Sequence, residues 1–508
     1  MVVPGQIRHG GARAVGALLA LGLSATGAFA QADAFRDSGL RPSLPAGSRT
    51  VAQTNDLSVP LGSGAGVTGY ISTGEPSGKP KKKRKTNKKE AVAPASGAPL
   101  NVVESAQPGQ KMNPRIGSIT PAPLVRKKPV DDDPYGPVGF HAGAFLVKPS
   151  VEISEGYDSN PFRVQNGPSS AFTEVKGAVS AKSEWSRHEM QLDLRGSYTA
   201  YSNVDDINRP DADATLRGRI DVQKDLRIEY VEKAALATQA PGTPNSIDGA
   251  KNLPFVYTLT SGLGAVKQFN RLELGLFGEY SRNIYENADL LNGTTLNLSE
   301  FNYNDYTVRL RGSYEVTPGF KPFIEVAADT RTFDTGVNSF GLRQGSDGYK
   351  AEAGFVFDRE LLKGQIGLGY MARSYDDPTL PNISGLLIDS SLVWKPSALT
   401  QVKFDMNSTI NESITTGAAG VFTREGKLTI DHSFRRWLVG SLFGSYGQDQ
   451  YRGTDRVDNR WTYGAALTYW FNRVLALRGE VRREGLNSNV AGQDYKADVA
   501  MLGLRLQR

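Results

Sequence analysis

Between Phe140 and Arg508, apolar and polar side chains alternate with a period of two, the signature of strands with one face in each of two environments. The stretch Arg271 to Arg282, R-L-E-L-G-L-F-G-E-Y-S-R, shows the pattern most fully. Leu272, Leu274, Leu276, Gly278 and Tyr280 share one parity, and Glu273, Gly275, Phe277, Glu279 and Ser281 the other. The same alternation recurs roughly eighteen times, for example in Met190-Leu192-Leu194-Gly196-Tyr198, Tyr306-Val308-Leu310-Gly312-Tyr314 and Ala500-Leu502-Leu504-Leu506. Two segments, Phe255 to Ala265 and Trp437 to Tyr446, are apolar on both parities.

The connections alternate in length. Short turns fall near Trp185-Ser186-Arg187, Lys224-Asp225, Phe269-Asn270, Pro318-Gly319, Arg359-Glu360, Pro396-Ser397, Arg435-Arg436 and Phe471-Asn472. Longer polar loops lie between them, at Tyr157 to Ser170, Thr238 to Asn252, Asn283 to Ser299, Thr332 to Gly348, Asp376 to Ser384, Gly447 to Asp458 and Asn487 to Gln493. This beat predicts an all-β fold, a transmembrane antiparallel up-and-down barrel of about sixteen to eighteen strands with short turns on the periplasmic side. No loop stands out in length, so a dominant constriction loop is not obvious, and whether any loop folds into the lumen stays open. Trp185, Phe269, Phe320, Trp394, Trp437 and Trp470 sit beside the short turns, with Phe434 and Phe471, and are expected to form a girdle at the head-group level.

If the apolar parity faces lipid, the other lines the lumen. That places Asp193, Arg195, Arg217, Arg219, Glu273, Glu279, Arg309, Arg311, Glu325, Asp405, Arg478 and Glu480 inside, together with Lys321 and Lys403. A barrel of this size is too wide for side chains to fill, so water remains. Mixed charges can select ions or pair along the wall and brace it, and both roles stay open for each residue.

Composition narrows the classes. No apolar run of about eighteen residues exists outside the N-terminus, which removes transmembrane helices. Mean hydropathy is −0.37, as half-apolar strands would give. There is no cysteine, hence no disulfide, thiolate metal site or cysteine nucleophile. Met1 to Ala30 has the charged start, short apolar core and Ala28-Phe29-Ala30 ending of a secretory signal cleaved after Ala30, and no cysteine follows to accept lipid. Residues 31–139 are rich in Pro, Gly and Ser and read as a disordered periplasmic arm. The net charge is +6 and the pI about 9.1. The run Lys79 to Glu90 has eight bases and one acid, and setting it aside leaves the rest of the chain at about −1. The charge therefore does not indicate nucleic-acid binding. The run is either a solvated linker or a contact for an anionic cell-wall polymer or lipid head group. Asp131-Asp132-Asp133 lacks the spacing of a calcium loop. Gly367 and Gly369 lie mid-strand with no helix after them, unlike a phosphate loop. His9, His141, His188 and His432 gather no catalytic partners in the sequence. No enzyme, metal or cofactor is expected.

The segment Phe140 to Phe162 holds Lys148-Pro149-Ser150-Val151 followed by Gly156-Tyr157-Asp158-Ser159-Asn160-Pro161-Phe162. It resembles the Putative beta-barrel porin 2 family of outer-membrane proteins. The resemblance implies an outer-membrane location with lipid as the partner and supplies no catalytic residues. It also implies a link, in some members, to export or attachment of surface polysaccharide. The ending Leu506-Gln507-Arg508 departs from the aromatic last residue usual in such barrels. Two functions follow. The first is a passive channel for small hydrophilic solutes. The alternative is a structural or export barrel for surface polysaccharide, in which inward Phe277 and Phe323 would stack on sugars. The oligomeric state is left open.

Overall fold

The computed structural model describes residues 135–203, 207–247 and 250–508. The secretory leader at 1–30, the basic run at 79–90 and nearly all of the arm at 31–139 lie outside the described residues.

A short strand β1 (Phe140–Ala142) opens the sheet. Then come β2 (Phe145–Asp158), β3 (Ser170–Ser183), β4 (Glu189–Tyr201), β5 (Arg209–Asp221), β6 (Leu226–Thr238), β7 (Phe255–Phe269) and β8 (Leu272–Tyr285). A two-stranded hairpin, β9 (Ala288–Asp289) and β10 (Thr295–Leu296), sits in the next loop. The wall continues with β11 (Tyr303–Tyr314), β12 (Phe320–Phe333), β13 (Ser346–Asp358), β14 (Leu362–Tyr375), β15 (Ile383–Ser397) and β16 (Thr400–Asn411). It finishes with β17 (Gly420–Arg435), β18 (Leu438–Arg452), β19 (Val457–Trp470), β20 (Leu475–Ser488) and β21 (Tyr495–Gln507).

Each long strand pairs antiparallel with its neighbours in sequence. β21 closes onto β2 from Ser150↔Gln507 to Asp158↔Val499, giving a closed barrel of 18 strands. Closure is a physical requirement, because an open edge would leave a row of backbone groups unpaired in hydrocarbon. β1 pairs with the first residues of β2, Phe140↔Val147 to Ala142↔Phe145, below the point where the β2 and β21 pairing starts.

The two parities separate as the alternation predicts. On β8, Leu276 is 56 % exposed and its neighbour Phe277 is 2 % exposed. The register carries this around the wall, setting Leu276 opposite Leu310 and Phe277 opposite Arg309. Leucines therefore face lipid and ionic groups face the lumen. The two segments of mixed parity are ordinary wall strands, with Leu263 and Leu442 outward and Val266 and Ser441 inward.

Trp185, Phe269, Trp394 and Trp437 are exposed on the outer wall beside the short turns, and half-buried Phe320 stacks on Phe355 there at 5.4 Å. Trp470 departs from the expected girdle. It falls on the inward parity of β19, is only 5 % exposed, and stacks against Tyr135 at 6.0 Å. The chain before β1 covers the ring, and Gln507 Nε2 fixes that chain by donating to the Tyr135 carbonyl at 2.7 Å. A second set of rings lies toward the long-loop end. Tyr157, Tyr198, Tyr280, Tyr306, Tyr349, Tyr370, Tyr446 and Tyr463 are exposed on the lipid parity. Leu272 and Tyr280 are about 26 Å apart along β8, or roughly 20 Å along the membrane normal at a tilt of about 40°. That is close to the apolar height of an outer-membrane barrel.

Candidate lumen and outer mouth

The inward charges meet one another along the wall. Asp193 pairs with Arg217 at 3.0 Å, and Arg219 with Asp221 at 3.1 Å and Glu189 at 4.0 Å. Glu273 accepts from Arg227, which also holds Glu229 at 2.7 Å. Glu325, almost fully buried, lies between Arg309 at 3.5 Å and Arg311 at 3.2 Å, with Lys350 at 4.0 Å. Asp405 accepts from Ser391 Oγ at 2.6 Å, while Lys403 pairs with Asp431 at 3.6 Å. Opposite charges on the same or nearby strands cancel within a Debye length of about 8 Å. The wall is thus a braced mosaic rather than a field of one sign.

One chain of pairs climbs the wall to the mouth. Arg478 meets Glu480 at 3.0 Å, and Arg482 joins Glu480 at 3.2 Å to Glu484 at 3.6 Å. Arg163, in the loop after β2, then bonds Glu484 and lies 2.9 Å from Asp158. Burial alone would lower the Arg163 pKa, but Glu484 and Asp158 beside it outweigh burial and raise it. Arg163 therefore stays charged and ties its loop to β20.

The mouth itself is crossed. After β6 the chain turns inward through residues 239–247. Thr243 N–H donates to the Ala240 carbonyl and Ser246 N–H to Thr243 in successive tight turns. Gly242 (φ +78°) and Asn245 (φ +65°) supply the left-handed conformations these turns need. Gly242 also lies against Tyr495 of β21, where a Cβ would come within 2.6 Å of the ring. Asn245 Nδ2 donates to the Glu412 carbonyl at 2.9 Å, and its Oδ1 accepts from Ile414 N–H at 3.2 Å. Residues 412 and 414 belong to the loop joining β16 and β17. Six wall strands separate the two hairpins on one side and eight on the other, so this contact spans the lumen.

The end of the β16–β17 hairpin also leans in. Arg331 of β12 donates to the Ile410 carbonyl at 3.2 Å and bonds Glu412 at 2.7 Å, while holding Asp305 at 2.8 Å. Ile247 and Ile414 pack against one apolar cluster that includes Tyr285, Leu298, Phe301 and Tyr303. Both inward elements therefore share an anchor on the wall beside β8 and β11.

The family model described as Putative beta-barrel porin 2 matches residues 133–508, the whole barrel. The chain belongs to this porin family. A search among curated proteins finds no match. Solved structures that the chain matches include the copper transporter OprC, at 9 % identity and TM-score 0.42, covering 73 % of this chain and 81 % of that one. The siderophore receptor PiuA from Acinetobacter baumannii stands at 12 %, 0.40, 73 % and 82 %. OccAB4 from Acinetobacter baumannii stands at 11 %, 0.36, 71 % and 98 %.

In this porin-family barrel the sequence-derived lumen residues lie on the inward parity, but they form several separate pairings rather than one site. Arg195 faces the lumen and is exposed there, on β4 opposite Asp213. Glu279 is half-buried on β8, opposite Thr307 of β11. Loop lengths alone leave open whether any loop folds into the lumen, and the 239–247 loop does so. Its signal was composition rather than length, since residues 239–247 contain no ionisable side chain and two prolines, Pro241 and Pro244.

Proposed function

We propose that the protein is a passive outer-membrane channel for small hydrophilic solutes, narrowed at its outer mouth by the 239–247 loop and the β16–β17 hairpin end. The observation that carries this reading is the junction of Asn245 with Glu412 and Ile414 inside a wall of paired ionic groups. A polar, charge-balanced wall suits water and small solutes of either sign. A mouth spanned by packed chain limits their size.

The two inward rings named for the polysaccharide reading, Phe277 and Phe323, do not support it. The Arg309 guanidinium lies 4.8 Å from the Phe277 ring centre and that of Arg311 3.8 Å from Phe323. Both rings are nearly fully buried. Wall cations cover them, leaving no ring face for a sugar.

Swelling of liposomes containing the full chain, in a graded series of neutral sugars, tests the reading. Uptake of the smallest sugars with a sharp cut-off is expected, and deletion of 241–247 should move the cut-off to larger sugars. Absence of swelling with every sugar, before and after deletion, would refute it.

A further inference from the structure

The wall opens between two neighbouring strands. Between β15 and β16, register pairs run from Ser397↔Thr400 to Asp389↔Asn407 and stop there. β15 nevertheless stays paired to β14 up to Ile383, and β16 to β17 up to Asn411. Above Asp389 the strands part as the β16–β17 end leans toward the lumen. Ser408 Oγ takes the Ile388 N–H at 3.1 Å, where a carbonyl of the next strand would ordinarily accept it. The Phe422 ring wedges in, so close to Gly385 that a Cβ there would come within 2.5 Å of it. The break lies at the long-loop end of the wall, level with the outer leaflet. Ile383, Ile410 and Phe422 pack into the break as one buried cluster, and this leaves the outward-parity Arg424 and Arg452 beside it.

Two cations border it. Arg424 is opposite Ser408 in the register and Arg452 opposite Gly420. Their guanidinium carbons lie 5.1 Å and 6.0 Å from the centre of the Phe422 ring. The Nε of each is buried without a hydrogen-bond partner. Among the described residues neither has a carboxylate within ion-pair range, in contrast to Arg309, Arg311, Arg460 and Arg482, each of which lies on an acid. Leu386 and Leu428 are exposed on the lipid face of the same strands. Two unneutralised arginines above exposed leucines match the chemistry of a phosphate attached to acyl chains.

We propose that the break between β15 and β16 binds a phosphate-bearing lipid of the outer leaflet. Arg424 and Arg452 hold the phosphate, and an acyl chain lies along the exposed Leu386 and Leu428.

Native mass spectrometry of the full chain in detergent with bis-phosphorylated lipid A tests this. A bound lipid is expected, with occupancy lowered about tenfold in the Arg424→Gln/Arg452→Gln pair, as loss of two charge-assisted contacts implies. Dephosphorylated lipid A should bind as weakly as the double variant does. The Arg424→Lys/Arg452→Lys pair keeps the charge and should retain most of the binding, which guards against a folding defect in the glutamine pair. Equal binding by folded glutamine and wild-type proteins would overturn the proposal. So would equal binding of the dephosphorylated lipid, or full displacement by millimolar inorganic phosphate, which would indicate a site for the free ion.

Discussion

Asn245 and Glu412 are 167 residues apart in the chain and meet inside the barrel, amide Nδ2 to backbone carbonyl at 2.9 Å. With the return bond from Ile414 N–H to Asn245 Oδ1, the side chain acts as a one-residue strand pair across the lumen. The contact joins two hairpins on opposite walls, so the mouth is narrowed by a bridge rather than by a single flap.

Asn245→Ala removes both bonds of that bridge. Each is worth about 0.5–1.5 kcal/mol, small against the stability of the barrel but large against local opening. Hydrogen exchange at Ile414 should speed up by roughly tenfold or more, with thermal stability nearly unchanged. Equal exchange in variant and wild type would show that the bridge does not hold the loop.

Leu276 lies midway between the two belts on the lipid face, where an arginine costs about 2–4 kcal/mol. Leu276→Arg should lower stability by that amount in urea unfolding from vesicles. The matched change Ser281→Arg, on the lumen parity of the same strand, should cost less. A reversed order would mean that the faces are assigned the wrong way round.

Glu325 neutralises two buried guanidinium groups, Arg309 and Arg311. Glu325→Ala leaves both without their acid and should destabilise by about 3–5 kcal/mol. Glu325→Met combined with Arg311→Met should recover part of the loss. If the single variant unfolds like wild type, the wall pairs contribute little to bracing.

A pH effect is expected outside the membrane. Asp334, just past β12, accepts from Arg282 at 2.6 Å and 2.5 Å, and these bonds hold its carboxyl below the ordinary aspartate range. A lowered folded pKa means that the contribution is present above the unfolded value of about 3.9 and is lost as pH falls through the folded value. The pair is largely solvent-exposed, so salt should weaken it. Protection of residues 334–345 from hydrogen exchange, corrected for intrinsic rates, should fall below about pH 4 in wild type. Asp334→Asn should show the reduced protection at every pH.

The strands and their faces were legible because parity is local. Leu272, Leu274 and Leu276 declare a lipid face in a few residues, and the register only repeats it around the wall. The outer tyrosine belt follows from the same local parity, since Tyr280 and Tyr306 continue the apolar face. Trp470 was misplaced because closeness to a turn does not state which face a ring takes. It sits one residue past outward Tyr469, and Tyr135 covers it. The crossing loop was hidden for a different reason. Once the chain leaves the sheet its direction is set by distant partners, here Tyr495, Glu412 and Ile414, and no local period encodes them.

The central claim is a water-filled barrel narrowed at its outer mouth by the bridge at Asn245. Single-channel recording in planar bilayers tests it most directly, comparing the full chain with a variant lacking 241–247. Stepwise conductance with weak ion selectivity is predicted for the full chain, with larger steps for the variant. Flat traces over many insertions of both proteins, or identical step sizes, would contradict it.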